Sequence, residues 1–322
     1  MDSKACLCPQ TGDNMKIAII GAGAMGCLYG AFLSQNHDVI MIDSFEPQIN
    51  AIREHGITIQ EKDGSERVYS GIHAALSGTY HTSADIVIVF VKSTYTEQAL
   101  EQNHSLFADH TLAVTLQNGA GNDRKMEKYS KKENIIIGTS KHNATNLGMG
   151  ISKHSAKGVT TIGSNHNSTD AVETIREVLS SAGLEVEVSD DIQRIIWSKL
   201  LINLSVNTFT AITETPIGYM IKNQHAWDFA KRLIYEAVEV AEADGTYFDR
   251  REALDMVRNL CEVAGEGYSS MYQDRKKRVP MEIDAINGAV VEQAKLYGVP
   301  TPYNTLIVDL IHAIEGAYEF YD

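Results

Sequence analysis

The first half of the chain alternates short apolar runs with glycine-rich or polar segments, whereas the second half carries long stretches with helical periodicity. Runs this short and this apolar are typical of buried parallel strands. We predict strands at Lys16–Ile20, Val39–Ile42, 83–91, 111–116 and 135–137. The longer periodic stretches predict helices over 192–213, 224–244, 249–265, 280–297 and 303–317.

The polar turn Ser189-Asp190-Asp191 separates these two patterns, after a closing stretch of short strands and one helix at Thr169–Ser181. Strands that alternate with helices indicate a parallel sheet with crossover connections. The predicted fold class is therefore α/β, with an N-terminal domain over 15–188 built on a parallel sheet and an all-helical C-terminal domain over 189–322.

A glycine-rich turn with the pattern GxGxxG follows the first predicted strand and opens a helix. In this context the pattern is typical of a nicotinamide dinucleotide site, although a tight turn without a ligand is the alternative. Gly21 allows the turn, Gly23 lets the backbone approach a pyrophosphate, and Gly26 lets helix and strand pack closely. The helix N-terminus would then face the phosphates. The predicted cofactor-binding residues here are Gly21, Ala22, Gly23, Ala24, Met25 and Gly26. The domain over 15–188 is thus predicted to be a Rossmann-type dinucleotide-binding domain, and the helical domain over 189–322 is predicted to carry substrate binding and catalysis.

Asp43 ends the second predicted strand, where a carboxylate can accept hydrogen bonds from both hydroxyls of the adenosine ribose. The same charge would repel a 2′-phosphate, and the next arginine is Arg53. Asp43 therefore favours NAD(H) over NADP(H). The alternative is that Asp43 only caps the following turn.

Lys92 and Asn118 follow two further predicted strands. Ligands of open α/β sheets bind beyond the carboxyl ends of the strands, so these side chains are candidates for the meeting point of cofactor and substrate. A solvated lysine and a turn-forming Asn-Gly pair are the alternatives.

Lys199, Asn203 and Asn207 interrupt a mostly apolar helix at intervals of four residues. On a helix this spacing makes a slowly winding polar stripe. Burying such groups without partners would cost several kcal/mol, roughly 2–7 for each neutral amide. The stripe must face either water or a polar ligand, and spaced asparagines favour the ligand.

With Thr210-Ala211, this helix resembles the signature helix of ketopantoate reductases. GAGAMG, Val91-Lys92 and Gln117-Asn118-Gly119 also resemble motifs of that family, as do the segments 269–274 and 282–288. The resemblance covers Met15 to about Thr305. It implies NADPH-dependent reduction of 2-dehydropantoate to (R)-pantoate, in the pathway to pantothenate and coenzyme A.

The resemblance also implies roles for individual residues. Lys199 would be the general acid that protonates the developing alkoxide, which suits an ammonium with a lowered pKa. Asn203, Asn207 and Ser270 would hold the substrate carboxylate and hydroxyl. Lys92 and Asn118 would line the junction of nicotinamide and substrate. Glu282 would hold the cofactor ribose or support Lys199, and the active site is expected in a cleft between the two domains.

Two positions depart from the family pattern. NADPH-dependent members often have a basic residue after the second strand, where this chain has Asp43-Ser44-Phe45. Ile217 replaces the polar residue that often precedes the glycine aligned with Gly218. NADP(H) therefore remains an alternative cofactor, and another branched 2-oxo acid remains an alternative substrate. A non-catalytic NAD(P)-binding regulator is the alternative from a different functional class.

Composition and net charge limit the classes of molecule that the protein is expected to bind. Apolar residues make up 43% and charged residues 22%, which is typical of a globular chain. A net charge of −14 argues against nucleic acid, which selects basic surfaces. The leader before Met15 lacks a secretory pattern, its Cys6-x-Cys8 is expected to be incidental, and no metal site is predicted. We expect a cytoplasmic homodimer that acts on a small 2-oxo acid, with no segment long enough to span a membrane.

Overall fold

The computed structural model describes residues 14–166 and 168–320, so the Cys6-x-Cys8 leader lies outside the described residues. The α/β fold class is confirmed, with a mainly parallel sheet in the first part and helices in the second. The strands are β1 (Lys16–Ile20), β2 (Asp38–Asp43), β3 (Ile57–Glu61), β4 (Glu66–Tyr69), β5 (His73–Leu76), β6 (Ile86–Val89), β7 (Leu112–Thr115), β8 (Ile135–Ser140), β9 (Asn143–Gly148), β10 (Ile151–Ala156), β11 (Thr160–Gly163) and β12 (Val186–Val188). The α-helices are α1 (Ala24–Leu33), α2 (Glu46–His55), α3 (Thr96–Gln102), α4 (Asn122–Met126), α5 (Thr169–Ser181), α6 (Ile192–Thr213), α7 (Tyr219–Lys222), α8 (Gln224–Ala243), α9 (Arg250–Ala264), α10 (Ser270–Lys276), α11 (Ala289–Tyr297) and α12 (Pro302–Gly316).

The chain divides into two compact units. Among the described residues, the first unit comprises those up to Gln117 together with those in Asn122–Ile192, and the second comprises Asn118–Gly121 and those from Gln193 onward. The short segment Asn118–Gly121 thus belongs with the helices that follow much later in the sequence.

An eight-stranded sheet forms the centre of the first unit, in the order β12-β11-β8-β7-β6-β1-β2-β5. Every neighbouring pair is parallel except β8 and β11. The fully apolar strands, such as the Ile86–Val89 run, have every residue buried, because helices cover a parallel sheet on both faces. The carboxyl ends of β1, β2, β6 and β7 therefore lie at one edge of the sheet.

A second sheet, in the order β4-β3-β10-β9, packs against α1 in the same unit. Most of its strands have no recognisable signal in the sequence, because they are short and partly polar. Their pairing joins remote segments, since Thr58 of β3 lies opposite Ile151 of β10. Contacts of this kind depend on the folded chain and have no local periodic signature.

The second unit consists of α6 to α12 with short connecting turns, and the predicted helix bounds agree with most of these elements. One predicted helix, 280–297, is different. Its first part is a turn that ends in a π-helical segment, Asp284–Gly288, and only then does α11 begin. Short π-helical segments often occur at functional sites.

The prediction that no segment is long enough to span a membrane was wrong, because one helix has the required length. Helix α6 has 22 residues and is apolar enough to cross a bilayer. Buried core helices meet the same criterion, and 67% of its most apolar window is buried inside the protein. Burial of this extent favours a core helix.

Candidate active site

The glycine turn between β1 and α1 has the geometry of a dinucleotide-binding loop. Gly21 has a φ of +104°, and a Cβ atom there would lie 2.6 Å from the Val91 backbone nitrogen. A Cβ atom on Gly26 would lie 1.9 Å from the Gly21 carbonyl oxygen. Because no side chain fits at either position, glycine is required for the turn itself.

Gly23 differs from these two glycines. Its φ of −72° is ordinary, and no heavy atom lies within 4 Å of the position that a Cβ would take. Gly23 is exposed at the N-terminus of α1, while Ala24 and Met25 are half-buried. The open space at a helix N-terminus, with unpaired N–H groups, fits the pyrophosphate of a dinucleotide.

Asp43 is tied to the glycine turn. Its Oδ2 accepts a hydrogen bond from the Ala22 N–H at 2.7 Å, and its Oδ1 accepts one from the Phe45 N–H at 2.9 Å. The second bond means that Asp43 does cap the turn into α2, as the alternative interpretation held. Each carboxylate oxygen retains a second lone pair, so both oxygens can still accept a ribose hydroxyl.

Gln48 supports the same loop, although no motif in the sequence indicates this role. This buried side chain donates to the Ala22 carbonyl oxygen at 2.6 Å and accepts from the Gly150 N–H at 3.0 Å. The thiol of Cys27 also donates to the Ala22 carbonyl, and burial raises the pKa of Cys27 to about 12. Cys27 therefore stays a thiol and is no nucleophile.

Lys92 lies beyond the carboxyl end of β6 in the first unit, where its side chain is exposed. Gln117, after β7, donates to the Val91 carbonyl oxygen at 2.6 Å and to the Thr96 hydroxyl at 2.8 Å. These bonds connect the ends of two neighbouring strands next to Lys92. Lys92 thus lies at the edge of the sheet where ligands of open α/β sheets bind.

Lys199 lies on α6 in the second unit, and its side chain is half-buried. Burial lowers the pKa of Lys199 from the ordinary lysine value, and the negative charge of Glu282 partly opposes this change. Desolvation favours the neutral amine, while the carboxylate favours the ammonium. The lowered pKa makes the Lys199 ammonium a better proton donor than an ordinary lysine.

Glu282 also contacts Asn118. The Asn118 carboxamide nitrogen donates to Glu282 Oε2 at 3.0 Å, although the two residues are 164 positions apart. Their backbones are close as well, because a Cβ atom on Gly119 would lie 2.3 Å from the Ala285 carbonyl oxygen. The second unit thus brings Lys199, Glu282 and Asn118 together.

Asn203 and Asn207 follow Lys199 on α6 at intervals of four residues. Asn203 is half-buried, and Asn207 is 8% exposed. Across the described parts of the chain, neither side-chain carboxamide has a hydrogen-bond partner. Neither carboxamide belongs to the fully buried polar atoms without partners among the described residues, so both amides are accessible and can donate to a polar ligand.

Ser270 and Ser269 have different environments. Ser269 is buried, caps α10 by accepting from the Tyr272 N–H at 3.1 Å, and shares a 2.7 Å hydrogen bond with the Thr210 hydroxyl of α6. Ser270, the predicted substrate-binding residue, is exposed at the first position of α10. Ser269 therefore joins α10 to α6, and Ser270 is the neighbour that is open to a ligand.

Asn287 is a further residue that sequence reasoning missed. It is fully buried in the π-helical turn and donates to the Leu204 carbonyl oxygen of α6 at 3.1 Å and to Asn304 of α12 at 3.0 Å. Leu204 lies between Asn203 and Asn207, so this amide connects the Glu282 turn with the polar stripe. The motif 282–288 could have suggested a site but not this contact.

The chain is similar to ketopantoate reductases along most of its length. Residues 17–167 match the family model described as ketopantoate reductase PanE/ApbA, and residues 191–315 match the model of its C-terminal part. A 2-dehydropantoate 2-reductase from Streptococcus pyogenes serotype M18 is 31% identical over 305 residues. This alignment covers 94% of the chain and 98% of the relative.

Two solved structures are similar over comparable lengths. D-mandelate dehydrogenase, in a ternary structure with NADH and anilino(oxo)acetate, has a TM-score of 0.84 and 31% identity, with 94% of this chain and 99% of that chain covered. A PanE/ApbA family ketopantoate reductase from Ralstonia eutropha JMP134 has a TM-score of 0.81 and 27% identity, with coverages of 95% and 100%.

Proposed function

The chain belongs to the ketopantoate reductase family and is an NAD(P)H-dependent oxidoreductase, and we propose that it reduces 2-dehydropantoate to (R)-pantoate with Lys199 as general acid. The observation that carries this proposal is the arrangement on α6. A lysine with a lowered pKa lies beside Glu282, and two carboxamides without partners continue the same stripe.

When bound, the reduced nicotinamide supplies the hydride. The side chains of the protein stabilise and then neutralise the negative charge that this transfer creates. The ketone oxygen becomes an alkoxide, and the Lys199 ammonium stabilises it and donates a proton to it. Glu282 keeps Lys199 protonated until that moment by favouring the ammonium form.

The asparagines act on the other end of the substrate. Their N–H groups can donate to a carboxylate without adding charge to the site, which leaves Lys199 as the cation nearest the reaction. Ser270 and Asn118 add a hydroxyl and an amide, which are also uncharged hydrogen-bond donors. A small polar 2-oxo acid matches this set of donors. The second unit therefore orients the substrate and protonates it.

For the cofactor we propose NADH. The sequence Asp43-Ser44-Phe45-Glu46 places two carboxylates and no cation directly after β2, and Arg53 donates to the Ala74 carbonyl oxygen at 2.8 Å. The D-mandelate dehydrogenase structure contains NADH, which agrees with this choice. The predicted homodimer and cytoplasmic location remain predictions.

The test is the oxidation of NADH or NADPH by the purified protein in the presence of 2-dehydropantoate, followed by the loss of nicotinamide absorbance. We expect turnover with a kcat/KM at least about tenfold higher for NADH, the equivalent of about 1.4 kcal/mol. A reversed ratio would show that Asp43 does not exclude the 2′-phosphate.

A second candidate is reduction of a 2-oxo acid with an aromatic or branched substituent. The D-mandelate dehydrogenase similarity favours it, because anilino(oxo)acetate carries an aromatic ring beside its oxo acid group. Ile217, where the family often has a polar residue, also favours a less polar substrate. The same assay with phenylglyoxylate and branched 2-oxo acids decides between the candidates by the largest kcat/KM.

A further inference from the structure

Two side chains of helix α12 contact the turn that carries Glu282, one before Glu282 in the sequence and one after it. On one side, the Met281 N–H donates to Glu315 Oε1 at 2.6 Å. On the other, Asp284 Oδ1 lies 2.9 Å from Nε2 of His312. His312 and Glu315 are three residues apart on α12, and they share one face of the helix.

His312 also contacts Glu315 directly. Its Nδ1 lies 3.0 Å from Glu315 Oε2, so the imidazole bridges two carboxylates, one on each ring nitrogen. An ionised carboxylate only accepts hydrogen bonds. Both ring nitrogens must therefore carry a proton for both bonds to form, which is the imidazolium form.

We propose that the imidazolium of His312 is a positioning residue that fixes Glu282 beside Lys199 and Asn118. This inference rests on the proposed roles of Lys199 and Glu282. His312 does not touch those groups. It acts through Asp284 and Glu315, which restrain the backbone on either side of Glu282. The buried neighbours Met281 and Ile283 leave the Glu282 turn little other freedom.

The charges around His312 support this protonation state. Desolvation of the ring works against the charge, but hydrogen bonds and charges from Asp284 on the π-helical turn and Glu315 on α12 outweigh it and raise the pKa of His312. A raised pKa means that both bonds are present below this value. One of them is lost as pH rises through it.

Lys199 also loses its proton as pH rises, so the pH profile of the wild-type protein contains both effects. A ratio separates them. Dividing the kcat/KM of the wild type by that of His312→Gln removes the part of the Lys199 ionisation that both proteins share. If a less fixed Glu282 lowered the pKa of Lys199 in the variant, the ratio would rise with pH, which is opposite to the fall expected from the titration of His312 itself. What remains is the contribution of His312.

The experiment measures this ratio from about pH 6 to about pH 9 with the 2-oxo acid that gives the highest turnover. Glutamine can replace only one of the two bonds and cannot titrate. We expect a ratio of about three- to tenfold at low pH, as for the loss of one hydrogen bond, and a fall towards one at high pH. His225→Gln, an exposed histidine on α8, is the matched control and should give a ratio near one throughout.

A ratio that does not change with pH would overturn the proposal, because a purely structural contribution of His312 has no reason to titrate. If His312→Gln does not fold, Asp284→Asn gives the same information. Removing that negative charge should lower the pKa of His312 and move the pH-dependent fall of activity to lower pH. Activity that keeps its pH dependence in Asp284→Asn would equally reject the proposal.

NMR titration of the His312 ring, assigned with the His312→Gln variant or by its response to Asp284→Asn, needs no substrate. It should give a pKa above the ordinary 6.5 that falls in Asp284→Asn. A protein that shows this titration but reduces no 2-oxo acid would contradict the proposed function alone. An ordinary His312 pKa in an active enzyme would contradict the positioning role alone.

Discussion

The glycine turn of the first unit and the polar stripe of the second unit are two sites built in opposite ways. The first is made largely of backbone, from the six consecutive residues Gly21 to Gly26 in the turn after β1 and the first turn of α1. The second is made of side chains on α6, the Glu282 turn and the Asn118 segment, which are far apart in the sequence. A backbone site is damaged by added atoms, whereas a side-chain site is damaged by removed groups.

Their hydrogen bonding differs too. Around the glycine turn, Asp43 and Gln48 are bonded to the loop before any ligand arrives. On α6, within the described residues, the Asn203 and Asn207 carboxamides have no such partner. The first unit is thus preorganised by the fold, while the second has polar groups whose partners are expected in the substrate.

The largest expected effect comes from removing the proton donor. Lys199→Ala should lower kcat by roughly 10²–10⁴-fold, the usual contribution of a general acid, while NADH binding to the first unit persists. Steady-state kinetics and fluorescence titration of NADH measure the two quantities. Lys222→Ala removes an exposed lysine paired with Glu266 and should change neither. Unchanged turnover in Lys199→Ala would remove this residue from the mechanism.

Asn207→Leu should separate binding from stability. A hydrogen bond to a charged group is worth about 1.5–3 kcal/mol, so KM for the 2-oxo acid should rise roughly 10–100-fold. Folding stability should hold, because the amide has no partner to lose. Asn304→Leu is the contrast: its buried amide donates to Glu236 at 2.8 Å, and its loss should cost about 1–3 kcal/mol of unfolding free energy. Denaturant titration measures that cost, and a large stability loss in Asn207→Leu would refute the ligand role.

Gly23→Ala tests the backbone site by adding one carbon. The position has an ordinary φ and open space, so unfolding free energy should fall little, if at all. The added methyl group would nevertheless occupy the space of the pyrophosphate, and Kd for NADH should rise about tenfold or more. Gly316→Ala, also unobstructed, should leave Kd unchanged. Equal NADH affinity in Gly23→Ala and wild type would exclude a pyrophosphate at this turn.

Glu282→Gln should have a smaller effect, visible in the pH profile. Without this carboxylate the pKa of Lys199 falls further, because only desolvation remains. The ammonium is present below that pKa and absent above it. The alkaline decline of kcat/KM should therefore move to lower pH. A shift to higher pH would contradict the proposed coupling of Glu282 to Lys199.

Much of the fold was predictable because its signals are local. The GxGxxG turn, the apolar strands that flank it and the bounds of α6 follow from periodicity and from the conformations that glycine permits. Strands β3, β4, β9 and β10 were not predictable, because their stability comes from pairing between remote segments. The π-helical turn was read as ordinary helix for a similar reason: its backbone depends on contacts with α6 and α12.

The sequence by itself determined which chemical groups are present: a glycine turn, a carboxylate after β2, and a lysine with two asparagines on one helical stripe. Only the tertiary structure decided how those groups behave. It placed Asn118 against Glu282, desolvated Lys199 and left the stripe amides without partners inside the described chain. Burial and charge proximity set the pKa of a side chain, and both depend on residues that meet only after folding.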